Sequence, residues 1–352
     1  MRCFFYLLLL FISRVNCYSH QEPTSFADLS IEPHVITLAI TASTVDLAHE
    51  LTTTEPAMLL EQRVIDENKS TLANTLLSRI KLQADGKSLG GAFLKVSLIP
   101  EKEDIRFEFS FPVAALPKQL GMDCHLFPYD VRHRTYLNIY QSGKLLQQHT
   151  FAESVQSISI TTSEPQPLIS VIGEFIYEGI HHIFIGPDHI LFVVGLLLLG
   201  GSFGQLLKIL TTFTIAHSIT LCLATFHLVS PPAAVIEPII ALSIVVVGIH
   251  AFFGKQVKRD PRLLFAFGFG LIHGFGFASV LQEMVLPSHA LAYSLFAFNF
   301  GVEIGQACIL IIVVPLLVTL AKYAPIVAQR VTHGLALGVT MAGAFWFFQR
   351  IL

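Results

Sequence analysis

The sequence predicts an α-helical polytopic membrane bundle of six transmembrane helices, preceded by an exported β-sandwich-like domain. Of its 352 residues, 53% are hydrophobic and only 13% are charged, a composition unlike that of ordinary soluble proteins. The apolar runs begin near residue 168, whereas residues 18–167 are polar and alternate with period two. The formal net charge of −3 provides no basic surface for nucleic acid.

We expect a signal peptide at 1–17, an extracytoplasmic β-rich domain at 18–167 and the six-helix domain at 168–352. The first stretch, "MRCFFYLLLLFISRVNCYS", combines Arg2, a short apolar run and small residues near position 17. This pattern is typical of a secretory signal peptide cleaved after Cys17. A lipoprotein signal at Cys17 fits less well, because Val15 and Asn16 are not the usual small residues. The five cysteines are scattered and predict no disulfide framework.

The segment after the signal peptide has the pattern of short strands joined by tight turns. "SRIKLQADGKSLGG" and "RTYLNIYQSGKLLQQHTF" carry Asp-Gly and Ser-Gly hairpin signals, and "AFLKVSLIPEKEDIRFEFSFPV" predicts two strands around a charged turn. The segment "TTTEPAMLLEQRVIDENKSTLANTLLSRI" is either a helical insertion or an irregular connection. The six histidines of residues 18–167 are scattered and form no catalytic constellation. We therefore expect residues 18–167 to bind an extracytoplasmic protein partner or to have a structural role.

Six apolar segments in the second half are each long enough to cross about 30 Å of hydrocarbon. They lie near residues 171–200, 208–227, 236–253, 263–283, 291–320 and 329–349. The loop 254–262 holds four Lys or Arg residues, whereas 228–235 and 284–290 hold none, so the positive-inside rule places 254–262 in the cytoplasm. Only Arg350, at an outer terminus, departs from this pattern. We expect a multi-pass protein of a bacterial inner membrane with its N-terminal domain outside.

Ionisable side chains recur in the middle of four of these apolar segments. They are His182, Asp188, His189, His217, His273 and Glu303. An ionisable side chain in lipid costs free energy, so its presence there indicates a function. Since they fall at similar depths on separate helices, we expect them to form one metal or proton site inside the bundle.

In the first segment, the ionisable side chains fall within "HHIFIGPDH" (181–189). Glu174, Glu178 and His182 are spaced i, i+4, i+8 and share one helical stripe, which leaves His181 to one side. "GPDH" should then break the helix, because backbone freed at this depth is tolerated only beside a cavity or against protein.

Further polar side chains are expected to support the site. They are Thr214 and Ser218 beside His217, Asn299 and Gln306 beside Glu303, and Glu237 near the outer surface, where it could instead cap a helix. On the opposite helix faces, Gly270 with Gly274 and Gly301 with Gly305 have the small-xxx-small spacing of close helix packing.

Imidazole and carboxylate ligands suit Ni, Co, Zn, Cu(II) or Fe, and the lack of a Cys or Met cluster argues against Cu(I). A site for conduction must bind well enough to strip water and still release its ion.

Four motifs resemble those of the HupE/UreJ family of nickel-permease-like membrane proteins. They are "HIFIGPDHILF" (182–192), "TTFTIAHSITL" (211–221), "FGLIHGFGFA" (269–278) and "FNFGVEIGQ" (298–306), and the resemblance covers roughly 170–350. It implies a transporter for Ni²⁺, or Co²⁺, with His182, Asp188 and His189 as metal ligands and the other three ionisable residues at matched positions. The large N-terminal domain is similar to the longer branch of the family. Short members have Pro where this chain has Ile183.

The leading prediction is therefore a permease rather than an enzyme. Two interpretations compete with it. One is an intramembrane hydrolase in which a His- and Asp-bound Zn²⁺ activates water and Glu303 is the general base. The other is a non-catalytic membrane sensor or assembly factor.

Overall fold

A computed structural model describes residues 23–51, 54–162, 167–226, 228–254, 260–276 and 288–351. The predicted signal peptide and most of the loops 254–262 and 284–290 lie outside these residues. The chain divides into a sheet unit and a helical unit, which adjoin in the sequence at Leu168 and Ile169.

Among its described residues, the sheet unit contains ten strands in two sheets. The strands are β1 Thr24–Ile31, β2 Val35–Ser43, β3 Ile80–Ala84, β4 Lys87–Ser88, β5 Ala92–Ile99, β6 Asp104–Pro112, β7 Gln119–Cys124, β8 Arg134–Gln141, β9 Lys144–Phe151 and β10 Ser157–Thr161. Six of them form a sheet in the order β5-β6-β2-β1-β8-β9, and four form a sheet in the order β10-β7-β3-β4. The pair β1 and β8 is parallel, and the other pairs are antiparallel.

Both sheets contribute to one buried apolar core. Phe107 and Phe109 come from the larger sheet, and Leu82, Leu120 and Met122 come from the smaller one. This burial follows the period-two alternation of the strands, in which every second side chain faces the core. The predicted β-sheet domain is confirmed.

In its described part the sheet unit also contains the helices α1 at Thr44–Leu51 and α2 at Gln62–Ser78, and a 3₁₀ turn at Pro56–Leu60 lies between them. The segment that the sequence left undecided is therefore helical. Leu47, Ile65 and Leu72 extend the core from these elements.

The predicted hairpins are confirmed at their turns. Asp85 and Gly86 join β3 to β4 with φ of 47° and 78°, and Ser142 and Gly143 join β8 to β9 with φ of 51° and 73°. Two consecutive positive φ angles are those of a type I′ turn, whose twist matches that of the flanking strands.

The helical unit contains seven helices in its described residues. They are α3 Leu168–Ile185, α4 Pro187–Leu197, α5 Phe203–Thr225, α6 Ala233–Phe253, α7 Arg262–Gly276, α8 Ser288–Tyr323 and α9 Pro325–Ile351. Five of them, α3, α5, α6, α8 and α9, are long and apolar enough to be candidate membrane spans. The chain is therefore a membrane protein.

The first predicted span is divided in two by the break at Gly186. Pro187 has no N–H to donate and occupies the first position of α4. Gly186 N donates to His182 O at 3.1 Å, and Ile190 N donates to Gly186 O at 3.2 Å, so both helix ends remain bonded. The fourth predicted span, 263–283, corresponds to α7, and its part beyond Gly276 lies outside the described residues.

Glycine faces bring the helices into backbone contact, as their spacing predicted. Gly301 of α8 packs on the Ile176 carbonyl and on Gly179 of α3, and Gly270 of α7 packs on the Phe213 carbonyl of α5. At these crossings a Cβ atom would overlap the neighbouring main chain.

Candidate metal centre

Three histidines from three helices converge inside the helical unit. His182 lies in the last turn of α3, His189 in the first turn of α4 and His217 in α5. Each offers a ring nitrogen that lies within 4.8 Å of those of the other two. All three side chains are buried, with relative exposures of 6%, 6% and 0%. We call these residues the histidine group.

The helix break at Gly186 places two of these rings together. The rings of His182 and His189 are 4.5 Å apart at an angle of 62°. Asp188 lies beside them, with Oδ1 3.3 Å from His189 Nδ1 and accepting the His189 backbone N–H at 3.0 Å. The carboxylate therefore satisfies a backbone donor that the break releases, and it supplies negative charge to the group.

Ring nitrogens of the histidine group remain available to a ligand. Within the part of the chain that the structure describes, Nε2 of His189 and Nε2 of His217 are buried and form no hydrogen bond. An orphaned polar atom in an apolar interior costs free energy, which a bound cation would recover. Metal–imidazole bonds of about 2 Å bring ligand atoms to within about 3–4 Å of each other, so modest side-chain rotation would close the group around an ion.

Asn299 of α8 fixes the orientation of His217. The Asn299 side-chain amide donates to Leu295 O at 2.8 Å, which leaves its carbonyl oxygen 3.4 Å from His217 Nδ1. A carbonyl acceptor at this nitrogen favours the tautomer protonated on Nδ1. The Nε2 lone pair is then free for a metal, as in other sites where a hydrogen-bond partner orients the ligating ring.

His273 of α7 lies next to the histidine group but is not one of its three members. Its ring is 5.1 Å from that of His189, and its Nε2 lies 3.0 Å from Ser243 Oγ. Ser243 already donates its only hydroxyl hydrogen to Ile240 O at 2.6 Å. The hydroxyl must therefore accept from His273 Nε2–H, and this tautomer leaves a lone pair on Nδ1.

Arg350 is a functional candidate that sequence reasoning missed. Its guanidinium lies near two carboxylates, with Nη2 3.8 Å from Asp188 Oδ2 and Nε 3.9 Å from Glu237 Oε2. It also donates from Nη1 to Glu237 O at 3.0 Å. In the sequence, this residue was only an exception to the charge pattern of the loops. That exception was the available signal, since an arginine at a helix end near lipid needs an anionic partner.

Glu303 is not one of the histidine group. Its Oε1 accepts from the Thr211 hydroxyl at 2.5 Å, and its Oε2 has no hydrogen-bond partner in the described ranges. With Thr214, Ser218 and Asn299 it lines a crevice of about 410 Å³ between α5 and α8. Asn299 therefore contacts both the crevice and the histidine group.

The remaining predicted positions surround these two clusters. Gln306 Oε1 accepts from Thr214 Oγ1 at 3.2 Å. On α3, Glu178 is buried as His182 is, whereas Glu174 and His181 are half-buried. The His181 ring lies 6.0 Å from that of Tyr177. The structure thus brings His182, His189 and His217 together, places Asp188 and His273 beside them, and places Glu303 in the lining of the crevice.

The fold and the site define a membrane protein with several apolar helices and a buried histidine group among them. Residues 159–350 match the family model described as HupE / UreJ protein. The chain belongs to the HupE/UreJ family, as its four motifs predicted. A search of curated proteins found no match. The matched region begins at β10, so most of the sheet unit lies outside it.

Proposed function

We propose that this protein transports a divalent transition-metal cation, Ni²⁺ or Co²⁺, across a bacterial inner membrane. The observation that carries the proposal is the histidine group. Three buried imidazoles from three helices have ring nitrogens within 4.8 Å of one another. The HupE/UreJ motifs that contain these histidines supply the choice of metal.

The donor set fits such a cation. Neutral imidazoles are good ligands for Ni²⁺, Co²⁺ and Zn²⁺, and they suit a buried site because they add no charge of their own. Asp188 beside His189 offsets part of the charge that the cation brings. We assign His182, Asp188, His189 and His217 to the first binding position, with His273 beside them as a further ligand, and Glu303 to a further position on the route.

The route requires the chain to cross the bilayer. We propose six crossings, in which α3 and α4 together form the first and α7 forms the fourth. In this arrangement the sheet unit lies outside the cell, where it binds a protein partner. The acidic residues Glu174, Glu178 and Glu237 would draw cations towards the histidine group.

Uptake of radioactive nickel into proteoliposomes tests the proposal. We expect His189→Ala, His217→Ala and the double variant His182→Ala/Asp188→Ala to lose at least about tenfold in initial rate, since each removes ligand atoms. His333→Gln is the matched control, because His333 Nδ1 interacts with Gln329 O within its own helix. Unchanged uptake in the ligand variants would contradict transport through this site.

The same preparation separates the competing functions. A protein that binds one metal ion per chain but does not move it across the vesicle membrane would be a sensor or a hydrolase. The hydrolase needs a carboxylate base close to metal-bound water. Glu303, the candidate for that role, instead accepts a hydrogen bond from Thr211 at the crevice, so no specific observation favours hydrolysis.

A further inference from the structure

The guanidinium of Arg350 and the histidine group share one carboxylate. Asp188 Oδ1 lies 3.3 Å from His189 Nδ1, while Asp188 Oδ2 lies 3.8 Å from Arg350 Nη2. The carboxylate is thus placed between a candidate metal ligand and a permanent positive charge. A divalent cation at the histidine group and the guanidinium would both be attracted to the negative charge of Asp188 and would repel each other.

Arg350 is held weakly by its carboxylates. Charge-assisted hydrogen bonds between nitrogen and oxygen are about 2.7–2.9 Å long, whereas its contacts with Asp188 and Glu237 are 3.8 and 3.9 Å. Its hydrogen bond among the described residues is to the main-chain oxygen of Glu237 at 3.0 Å. Nε forms no hydrogen bond within the described residues although it is buried.

Arg262 shows how the same chain holds an arginine that has a fixed structural role. Its side chain donates to Asp260 at 2.7–3.0 Å and to the carbonyl oxygens of Leu196 and Gly200 at 3.0 and 2.8 Å. Arg350 lies near two carboxylates and makes neither contact at hydrogen-bond length. Its position at the last turn of α9 also leaves the side chain at a helix end.

We propose that Arg350 is a built-in competitor for the transported cation. With the histidine group empty, its guanidinium balances the charge of Asp188 and Glu237. When a divalent cation binds, repulsion moves the guanidinium away from Asp188. Its return favours release of the cation, which keeps the affinity low enough for transport. This inference rests on the proposed function, since it assigns a role at the same site.

Binding of Ni²⁺ to the full-length protein in detergent, measured by titration calorimetry, tests the inference. Arg350→Gln should tighten Kd roughly tenfold, which is the size of effect that one nearby charge has on a partly buried ionic group. Arg350→Lys keeps the positive charge and should stay close to the unmodified protein. Arg330→Gln is the control, since Arg330 is an exposed arginine of the same helix.

Transport measurements supply the second readout. Arg350→Gln should lower the KM for nickel uptake and also lower the maximal rate, because a cation that binds more tightly leaves more slowly. A purely structural arginine would not produce this split. Glu237→Gln should weaken Ni²⁺ binding, because Asp188 would then be the remaining carboxylate near the guanidinium and would pair with it more closely. The double variant Arg350→Gln/Glu237→Gln should recover tight binding, because the competing charge is gone.

Two results would overturn the inference. One is equal weakening of Ni²⁺ binding by Arg350→Gln and Arg350→Lys in folded protein, which would assign the residue a structural role. The other is an unchanged Kd in both variants. Failure of the proposed function is distinguishable, because His189→Ala would then bind nickel as the unmodified protein does. If vesicles show no uptake while the Arg350→Gln shift in Kd persists, Arg350 competes at a site that only binds.

Discussion

Gly274 of α7 lies directly against the main chain of His217 in α5. A methyl group on Gly274 would overlap the His217 carbonyl oxygen and the Thr220 hydroxyl. Because His273 is the neighbour of Gly274 in sequence, this contact fixes how far the His273 ring is from the histidine group. The close crossing of α5 and α7 is thus part of the geometry of the candidate metal centre.

Gly274→Ala should therefore force α7 away from α5. Overpacking a close backbone crossing costs about 1–3 kcal/mol, and the displaced His273 should weaken Ni²⁺ binding. Gly268→Ala is the matched control on the same helix, since an added Cβ there meets nothing within 4 Å. Thermal unfolding in detergent and nickel titration measure the two effects. Equal melting temperatures for the two variants would contradict the role of this contact.

Ser243→Ala tests the tautomer assigned to His273. Without the hydroxyl that accepts from Nε2–H, the ring loses its fixed orientation, and loss of such a supporting hydrogen bond typically costs about 10–100-fold in metal affinity. The affinity for Ni²⁺ in detergent measures the change. Ser294→Ala removes a buried hydroxyl that has no hydrogen-bond partner in the described residues and should change the affinity little. An unchanged affinity for Ni²⁺ in Ser243→Ala would show that His273 does not contribute to metal binding.

The sequence predicted the elements whose signals are local. The turns at Asp85-Gly86 and Ser142-Gly143 follow from residues that tolerate positive φ, and the break at Gly186 follows from a proline that cannot donate a hydrogen bond. The glycine faces were also predictable, because the small-xxx-small spacing is itself a local pattern. The short helix α1 was missed, because its eight residues follow β2 directly and are too few to show a helical period.

The composition of the site was only partly predictable. Similar depth in the membrane limits how far apart two side chains are along the bilayer normal, but it does not say which helix faces meet. Glu303 therefore lies at the crevice and is not one of the histidine group. The contacts of Arg350 with Asp188 and Glu237 join residues more than 100 positions apart, and no local pattern encodes such a pairing.

Arg262 stabilises the end of α4. Its Nη1 donates to the carbonyl oxygens of Leu196, in the last turn of α4, and of Gly200, just beyond that helix, where backbone carbonyls need partners from outside the helix. Arg262→Gln should lower the melting temperature by several degrees, since removal leaves buried carbonyl groups unsatisfied, at about 1–3 kcal/mol each. Arg330→Gln, at an exposed position, should melt as the unmodified protein does. Equal melting temperatures for the two variants would show that Arg262 does not stabilise the end of α4.

His133 should make the sheet unit less stable in acid. Burial lowers the pKa of this imidazole below 6.5, against the opposing charge of Asp46, while its Nε2 interacts with Ser25 Oγ at 3.0 Å. Below that pH the unfolded chain binds a proton that the folded chain does not, so stability falls as pH falls. Amide hydrogen exchange in β1, corrected for the intrinsic rate, should accelerate from pH 7.5 to 5.5.

The matched variants are His133→Gln and His34→Gln. His133→Gln should flatten the pH dependence of exchange in β1, because the group that titrates is gone. His34 is exposed in the same unit, so His34→Gln should keep the dependence of the unmodified protein. Acceleration of exchange that is the same in all three proteins would assign the acid sensitivity to other groups.

Asp104 should make the sheet unit more stable as pH falls, which is opposite to the effect of His133. Burial raises the pKa of this carboxyl from 3.8 to about 6, so the folded chain binds a proton before the unfolded chain does as pH falls. Protonation of Asp104 therefore adds stability between about pH 6 and pH 4 and offsets part of the loss caused by His133. Asp104→Asn removes this offset, and hydrogen exchange in β1 should then accelerate more steeply from pH 6.5 to 5 than in the unmodified protein. A shallower dependence in Asp104→Asn would contradict the raised pKa.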